Sequence, residues 1–128
     1  GAEALYREAL EARRETLGDR HPNTLTSINN LGSLLEAKGD LDGAEALYRE
    51  ALEARRETLG DRHPDTLSSI NNLGLLLKAK GDLDSAEMLL REALEAKRET
   101  LGDRHSDTLT SINNLGTLLK AKGDLDGA

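Results

Sequence analysis

The sequence has no cysteine, tryptophan or phenylalanine, and it contains only two prolines and two tyrosines. Without cysteine, a disulfide framework, a thiolate nucleophile and a cysteine-based zinc site are excluded. Because β-sheets favour aromatic and β-branched residues, this low aromatic content disfavours a β-sandwich or barrel. A core of Leu, Ile and Ala suits closely packed helices, so we expect an all-α protein.

Long apolar runs and positive charge are also scarce. No stretch approaches the roughly 20 apolar residues that span a bilayer, and no basic segment followed by an apolar one opens the sequence. The 17 basic and 24 acidic residues give a net charge of −7, which repels phosphate backbones and anionic lipid surfaces. We therefore expect no nucleic-acid partner, no membrane partner and a cytoplasmic location.

The sequence consists mainly of three consecutive, near-identical copies of one segment. Residues 1–42, 43–84 and 85–126 align without gaps, with 4 differences between the first two copies and 7 between the second and third. Residues 127–128 repeat the beginning of the unit. A fixed period of this size is typical of solenoids, in which each unit buries its apolar face against its neighbours. We predict a single repeat array over residues 1–128.

Each copy predicts two helices joined by a short turn. Helix A spans about 65–80 in the second copy, with Asp65 or Thr66 as its N-cap and Gly81 as its C-terminal stop. Helix B follows the turn at 39–42, which makes the two helices antiparallel, and Asp42 with Glu45 predicts a capping box.

Apolar residues recur every three or four positions in both helices, which predicts one buried face on each. The face of helix A comprises Leu67, Ile70, Leu73, Leu76 and Leu77. The face of helix B comprises Ala44, Leu47, Tyr48, Ala51, Leu52 and Leu59, and Gly60 ends the helix. Tyr6 occupies the position of Tyr48 in the first copy, so both tyrosines are predicted to lie in the core. Gly74 predicts a close approach of two helix backbones.

The run Ile28-Asn29-Asn30-Leu31-Gly32, followed by Leu35, 39–44, Tyr48 and Ala51, resembles the tetratricopeptide repeat signature. Ile28 and Leu35 stand where that signature usually has Trp and Tyr. The extended helix B and the loop 59–66 resemble the 42-residue variant of kinesin light chains and nephrocystin-like proteins. This resemblance implies an all-α fold, a tetratricopeptide-type right-handed superhelical solenoid of antiparallel helix pairs.

The resemblance also implies that helix A forms the concave wall of a groove that binds an extended peptide. Its predicted binding residues are Asn29, Asn30 and Ser33 in the first copy, Asn71, Asn72, Leu75 and Lys78 in the second, and Asn113, Asn114, Thr117 and Lys120 in the third. Thr26, Glu36, Ser68 and Thr110 belong to the same wall.

The asparagine pairs are the main candidates, because an amide can both donate to and accept from a peptide backbone. In kinesin light chain-like grooves, an Asn that matches Asn30, Asn72 and Asn114 has this role. The alternative is that one Asn of each pair braces the adjacent helix. Lys78 and Lys120, where the first copy has Glu36, favour an acidic peptide in the second and third copies.

Three patterns suggest chemistry but are better explained by packing. His21, His63 and His105 lie on separate loops, too far apart to bind one metal ion. Asp61-Arg62-His63 has no nucleophile beside it, so we interpret it as loop packing and charge pairing. The segment 40–43 lacks the glutamate that closes a calcium-binding loop. We predict no catalytic residue, no metal site and no cofactor.

We therefore predict a non-enzymatic protein–protein interaction scaffold. The alternative is a structural scaffold, either natural or a designed, idealised consensus array, that has no evolved ligand and associates end to end with copies of itself. Because the chain opens with helix B and its third copy closes with helix A, the first and last helices each lack a neighbour. This arrangement predicts head-to-tail self-association.

Overall fold

The structure, a computed structural model, describes residues 1–125, so residues 126–128, including the reopened repeat at 127–128, lie outside it. The described residues form six α-helices and no strand. These helices are α1 (Ala2–Leu17), α2 (Pro22–Ala37), α3 (Leu41–Leu59), α4 (Pro64–Lys80), α5 (Leu83–Leu101) and α6 (Ser106–Leu125). None of these helices is both long enough and apolar enough to cross a membrane.

The predicted bounds of helix A are confirmed by α4, but the predicted N-caps Asp65 and Thr66 are wrong. The backbone N–H of Asp65 donates to Nδ1 of His63 at 3.0 Å, and His21 and His105 accept equivalent bonds from Asn23 and Asp107. An N-cap side chain satisfies a backbone N–H that has no partner within the first turn. The recurring histidine therefore caps helix A in every copy.

The predicted capping box at Asp42 and Glu45 is also wrong. Helix α3 begins at Leu41, and its N-cap is Asp40, whose Oδ1 accepts from the N–H of Gly43 at 2.9 Å. Asp82 caps α5 in the same way, accepting from Ser85. Since the helix begins earlier than predicted, Asp42 lies inside its first turn, where a negative charge favours the helix dipole.

Glycines end the helices as predicted. Gly60 follows α3 with φ 91°, and Gly81 follows α4 with φ 92°. Residues with a side chain rarely adopt this positive φ, so glycine is required at both positions.

The described residues divide into two compact units, residues 1–69 and residues 70–125, with the boundary inside α4. In the first unit, α1 and α3 both pack on α2. A Cβ on Gly32 would lie 2.7 Å from Cε1 of Tyr48, so the glycine permits the ring to rest on the backbone of α2. The buried apolar residues of α2 and α3 in this unit are Leu25, Ile28, Leu31, Leu35, Ala44, Tyr48, Ala51, Leu52 and Ala54.

In the second unit, α5 packs on α6, and a Cβ on Gly74 would lie 2.9 Å from Cδ2 of Leu90. The close approach predicted at Gly74 is confirmed. The buried apolar residues of this unit are Ile70, Leu73, Leu76, Leu77, Ala86, Leu90, Ala93, Leu94, Ala96, Leu115 and Leu118. The organisation of both units as one repeat array over 1–128 stays a prediction.

Three core predictions have mixed outcomes. Tyr48 is 2% exposed, as predicted, whereas Tyr6 is 43% exposed and Leu59 is 38% exposed. Tyr48 is covered because α3 lies on α2, while no described helix lies on the side of α1 that carries Tyr6. Leu59 is the last residue of α3, beyond the part of the helix that is buried.

A buried arginine was not predicted from the sequence. Arg55 is 8% exposed, and its Nη1 donates to Ser69 Oγ at 2.8 Å and to the carbonyl oxygen of Asp65 at 3.2 Å. Arg13 makes the same bond to Ser27 at 2.7 Å. Each guanidinium therefore ties helix B to the start of the following helix A.

Candidate peptide-binding surface

The predicted binding residues of the second unit lie on α4 and α6. All have side chains that are at least partly exposed: half-buried Asn71, Asn72, Leu75, Lys78 and Asn114, and exposed Asn113, Thr117 and Lys120. Their accessibility is compatible with binding.

One hydrogen bond connects α4 and α6, the two helices of this surface. Nδ2 of Asn114 donates to Oδ1 of Asn71 at 3.3 Å. The first Asn of the second copy thus pairs with the second Asn of the third copy, as the bracing alternative predicts for one member of a pair. An amide has two N–H donors and two lone pairs on its oxygen, so one such bond leaves both amides with further hydrogen-bonding capacity.

Side chains of different chemistry follow this amide pair along the two helices. Leu75 and Lys78 come one and two turns after Asn71 on α4, and Lys120 comes about two turns after Asn114 on α6, in a protein whose net charge is negative. Thr117 contributes less, because its hydroxyl donates to the carbonyl oxygen of Asn113 at 2.9 Å. The surface therefore offers amides, apolar area and cations, a combination that suits a peptide with acidic side chains.

In the first unit, Ser33 and Glu36 are engaged by Tyr48. The Tyr48 hydroxyl donates to Oε1 of Glu36 at 3.0 Å and lies 3.0 Å from Ser33 Oγ, which therefore donates to it. Burial raises the pKa of Tyr48; the Ser33 bond partly offsets this effect, and Glu36 adds to it. Ser33 is exposed, but its hydroxyl already has a partner within the protein.

These contacts give a packing explanation for some differences between the copies. Ser33 and Glu36 become Leu75 and Lys78 in the second copy, and Tyr48 becomes Leu90 one copy later. Two polar partners and a tyrosine are thus replaced together. Comparing each helix A with the following helix B, rather than with its own, would have shown this pattern in the sequence.

The asparagines of the first unit have different environments. Oδ1 of Asn29 is buried and has no hydrogen-bond partner among the described residues. Asn30 is exposed and lines an open pocket of about 160 Å³ with Tyr6, Ala9, Arg13 and Ser27.

Ion pairs connect neighbouring helices around these surfaces. Lys38 on α2 lies 2.6 Å from Glu3 on α1, and Lys122 on α6 lies 2.7 Å from Glu87 on α5. Hydrogen bonds from these lysines lower the pKa of Glu3 and of Glu87. Arg14 binds both carboxylate oxygens of Glu50, at 2.6 and 3.0 Å, and this bond raises the arginine pKa.

No group of three or more His, Asp or Glu side chains in the described part of the chain is arranged to hold a metal ion. His21, His63 and His105 instead cap helices, as described above.

The paired antiparallel helices, the small residues at helix contacts and the unit repeated three times define a helical-repeat protein. The sequence profile described as Tetratricopeptide repeat matches residues 1–57, 28–99 and 70–128, so the chain belongs to the tetratricopeptide repeat family. The predicted all-α solenoid fold is confirmed. Repeats of this family generally serve as non-enzymatic scaffolds for protein–protein interactions.

Solved structures similar to this chain are kinesin light chain-like. BtubC (BKLC) from P. vanneervenii has a TM-score of 0.87 and 28% identity, over 98% of this chain and 50% of its own. The nearly identical TPR-like repeats of a candidate kinesin light chain from Podosopora anserina have a TM-score of 0.89 and 26% identity, over 98% and 60%. A variant of those repeats with one substitution has a TM-score of 0.88 and 26% identity, over 98% and 59%.

The chain thus spans between half and three fifths of the length of these proteins. No curated protein sequence matches it.

Proposed function

We propose that the protein is a non-enzymatic scaffold that binds an extended, acidic peptide on the exposed side of its A helices. In the second unit the peptide backbone pairs with the amides of Asn72 and Asn114, and its acidic side chains approach Lys78 and Lys120. The supporting observation is the hydrogen bond between Asn114 and Asn71, which places amides from two A helices next to each other.

The chemistry of the surface favours this class of ligand. An extended peptide presents unpaired N–H and C=O groups, and asparagine can satisfy both kinds whatever the peptide's side chains are. Sequence preference then comes from charge, because lysine ammonium groups attract carboxylates and disfavour basic segments. Asn29 and Asn30 offer the same amide chemistry in the first unit, and we expect Ser33 to contribute little, since Tyr48 engages it. We also propose the cytoplasmic location that the sequence analysis predicts.

The test uses an array of short unstructured peptides with graded contents of Glu and Asp. We expect the chain to retain acidic peptides, and the double variant Asn72→Ala, Asn114→Ala to weaken their binding about tenfold, the effect of roughly 1.4 kcal/mol of lost hydrogen bonding. The matched control is Asn23→Ala, which removes an exposed amide near the beginning of α2. Binding that is unchanged in the double variant, or no peptide bound at all, would contradict the proposal.

A second experiment tests the charge preference. Lys78→Glu with Lys120→Glu should shift selection on the same array from acidic to basic peptides, because the cations next to the amides are replaced by anions. An unaltered preference would show that the lysines are only solvated.

The second candidate is a scaffold that associates with copies of itself. It is favoured by the exposure of Tyr6 on α1 and of Leu119 on α6, which is 39% exposed. Tyr6 and Leu119 are not among the proposed peptide-binding residues, so variants at these two positions test self-association separately from peptide binding.

A further inference from the structure

One side of α1 is exposed although the matching residues of α3 are buried or half-buried. Tyr6 is 43% exposed and Leu5 is 67% exposed, whereas Tyr48, which matches Tyr6 on α3, is 2% exposed. Ala2 and Ala9 are exposed as well, although their counterparts Ala44 and Ala51 on α3 are buried. This side of α1 thus has the residues of a helix contact but no helix covering it among the described residues.

One side of α6 shows the complementary difference. Leu109 is 48% exposed and Leu119 is 39% exposed, whereas their counterparts Leu25 and Leu35 on α2 are 2% and 3% exposed. A Cβ on Gly116 would meet no atom within 4 Å, although the matching Gly32 lies directly beneath the ring of Tyr48.

The packing of α3 on α2 shows how such surfaces fit. In that contact Tyr48 rests on the backbone at Gly32, and its hydroxyl bonds to Ser33 and Glu36. Because α1 carries the residues of α3 and α6 carries those of α2, the same contact can form between two molecules.

We propose that α1 of one molecule docks on α6 of a second copy of this chain in the register of α3 on α2, with Tyr6 against Gly116. This inference rests on the second candidate function, the self-associating scaffold, and it uses Thr117 and Lys120 of the peptide-binding residues in addition to Gly116. The hydroxyl of Tyr6 then faces Thr117 and Lys120, which provide a hydroxyl and a donor where Tyr48 has Ser33 and Glu36.

Charges at the two surfaces are complementary in this register. Within the chain, Arg14 on α1 binds Glu50 on α3 through two hydrogen bonds. The equivalent intermolecular pair is Arg98 on α5 with Glu8 of the second copy. Arg98 keeps its own neighbour Asp103 at 3.4 Å, just as Arg14 keeps Asp19 at 3.0 Å.

A second ion pair follows the same rule. Arg20 pairs with Glu57 within the chain, which predicts Arg104 with Glu15 of the second copy. Both predicted pairs join an arginine on the α6 side of the contact to a glutamate on the α1 side, so the opposite register is not favoured.

The contact joins two different surfaces, so it does not close on itself. An assembly of this 128-residue chain therefore keeps one uncovered α1 at one end and one uncovered α6 at the other, and heterologous contacts of this kind generate open chains. We expect sedimentation velocity of the 128-residue chain to show species that grow in length as concentration rises.

The first test is Gly116→Leu. The substitution adds a side chain where the isolated chain has open space, so the fold is retained, but it occupies the place that Tyr6 must take. We expect the variant to stay monomeric at concentrations where the unmodified chain assembles. Thr110→Leu is the matched control, since its counterpart Thr26 remains exposed beside α3, and it should assemble like the unmodified chain.

The second test exchanges charges. Glu8→Arg and Arg98→Glu should each weaken assembly about tenfold or more, as expected for a close charge pair that becomes repulsive. An equimolar mixture of the two variants should assemble again, because each contact in an alternating chain then joins opposite or unaltered charges.

Three outcomes would overturn the proposal: an unmodified chain that stays monomeric at high concentration, a Gly116→Leu variant that assembles, or a mixture that stays monomeric. Peptide binding by Gly116→Leu is measured in parallel on the array. Because this residue is not among the binding residues, loss of assembly with retained peptide binding supports the docking contact alone, whereas failure of peptide binding in the unmodified chain bears only on the groove.

Discussion

At the scale of single residues, Arg55 and Lys97 occupy the same position of the repeat but differ in what they bond. Arg55 reaches Ser69 with a guanidinium N–H at 2.8 Å. Ser111, the matching serine in the third copy, is 2% exposed, and its Oγ has no hydrogen-bond partner among the described residues. A buried hydroxyl without a partner destabilises the folded state, so the third copy lacks a bond that the first two have.

We predict that Lys97→Arg stabilises the protein by about 1 kcal/mol, the usual contribution of one such hydrogen bond. Denaturant unfolding of the variant measures the change. Ser111→Ala serves as the internal control: it should be nearly neutral beside Lys97 and should cancel the gain beside the new arginine. If Ser111→Ala has the same effect in both backgrounds, the residues are not coupled.

Tyr48 gives a pH-dependent prediction. Its pKa is raised chiefly by burial, so the folded state favours the neutral phenol. The corresponding stability is fully present below the unfolded pKa of about 10 and is lost as pH rises through the folded pKa.

Absorbance of tyrosinate in a Tyr6→Phe variant isolates Tyr48. We expect its midpoint above about 10 in the folded protein and close to 10 in denaturant. A folded midpoint at or below the denatured one would show that the hydroxyl is not desolvated.

Residue-level predictions from the sequence were accurate for the apolar face of α4. The apolar face from Leu67 to Leu77 is buried as predicted. Tyr6 and Tyr48 have the same local sequence, yet one is exposed and one is buried, because coverage by a second helix is decided by tertiary packing.

At the scale of helices, glycines at two positions of the chain have opposite effects on stability. Gly60 ends α3 at φ 91°, a conformation that residues with a side chain rarely adopt. Gly116 lies inside α6 with open space beside it. One glycine is required by the backbone and the other is not.

Gly60→Ala should therefore destabilise the protein by about 1 to 3 kcal/mol through backbone strain. Gly116→Ala should stabilise it by about 0.5 to 1 kcal/mol, because alanine has less freedom to lose on folding. Thermal unfolding at a low protein concentration, where association is negligible, compares them. Changes of the same sign in both variants would contradict this assignment.

Helix bounds were predicted better than helix caps. The sequence places helix A at about 65–80, and α4 spans Pro64–Lys80. The caps differ because N-cap preferences favour Ser, Thr and Asp, whereas the acceptor of the Asp65 N–H is Nδ1 of His63. Which of several nearby acceptors meets that N–H depends on backbone angles that composition does not specify.

At the scale of the whole molecule, the net charge of −7 and the two lysines of the amide surface are separate properties. Overall negative charge disfavours polyanions, whereas the local pair Lys78 and Lys120 favours short acidic segments that approach one surface. The selectivity we propose therefore depends on where charges lie and not on their sum.

The repeat predicts the family and the helix pairs, because apolar spacing and glycine positions act locally and recur in each copy, and it proposes the binding residues. Tertiary structure alone decided which of those residues are already used. Ser33 is engaged by Tyr48, Asn71 by Asn114, and Tyr6 is left exposed. A side chain finds its partners on the adjoining helix. Two copies with the same sequence can have different adjoining helices, so matching residues can have different partners.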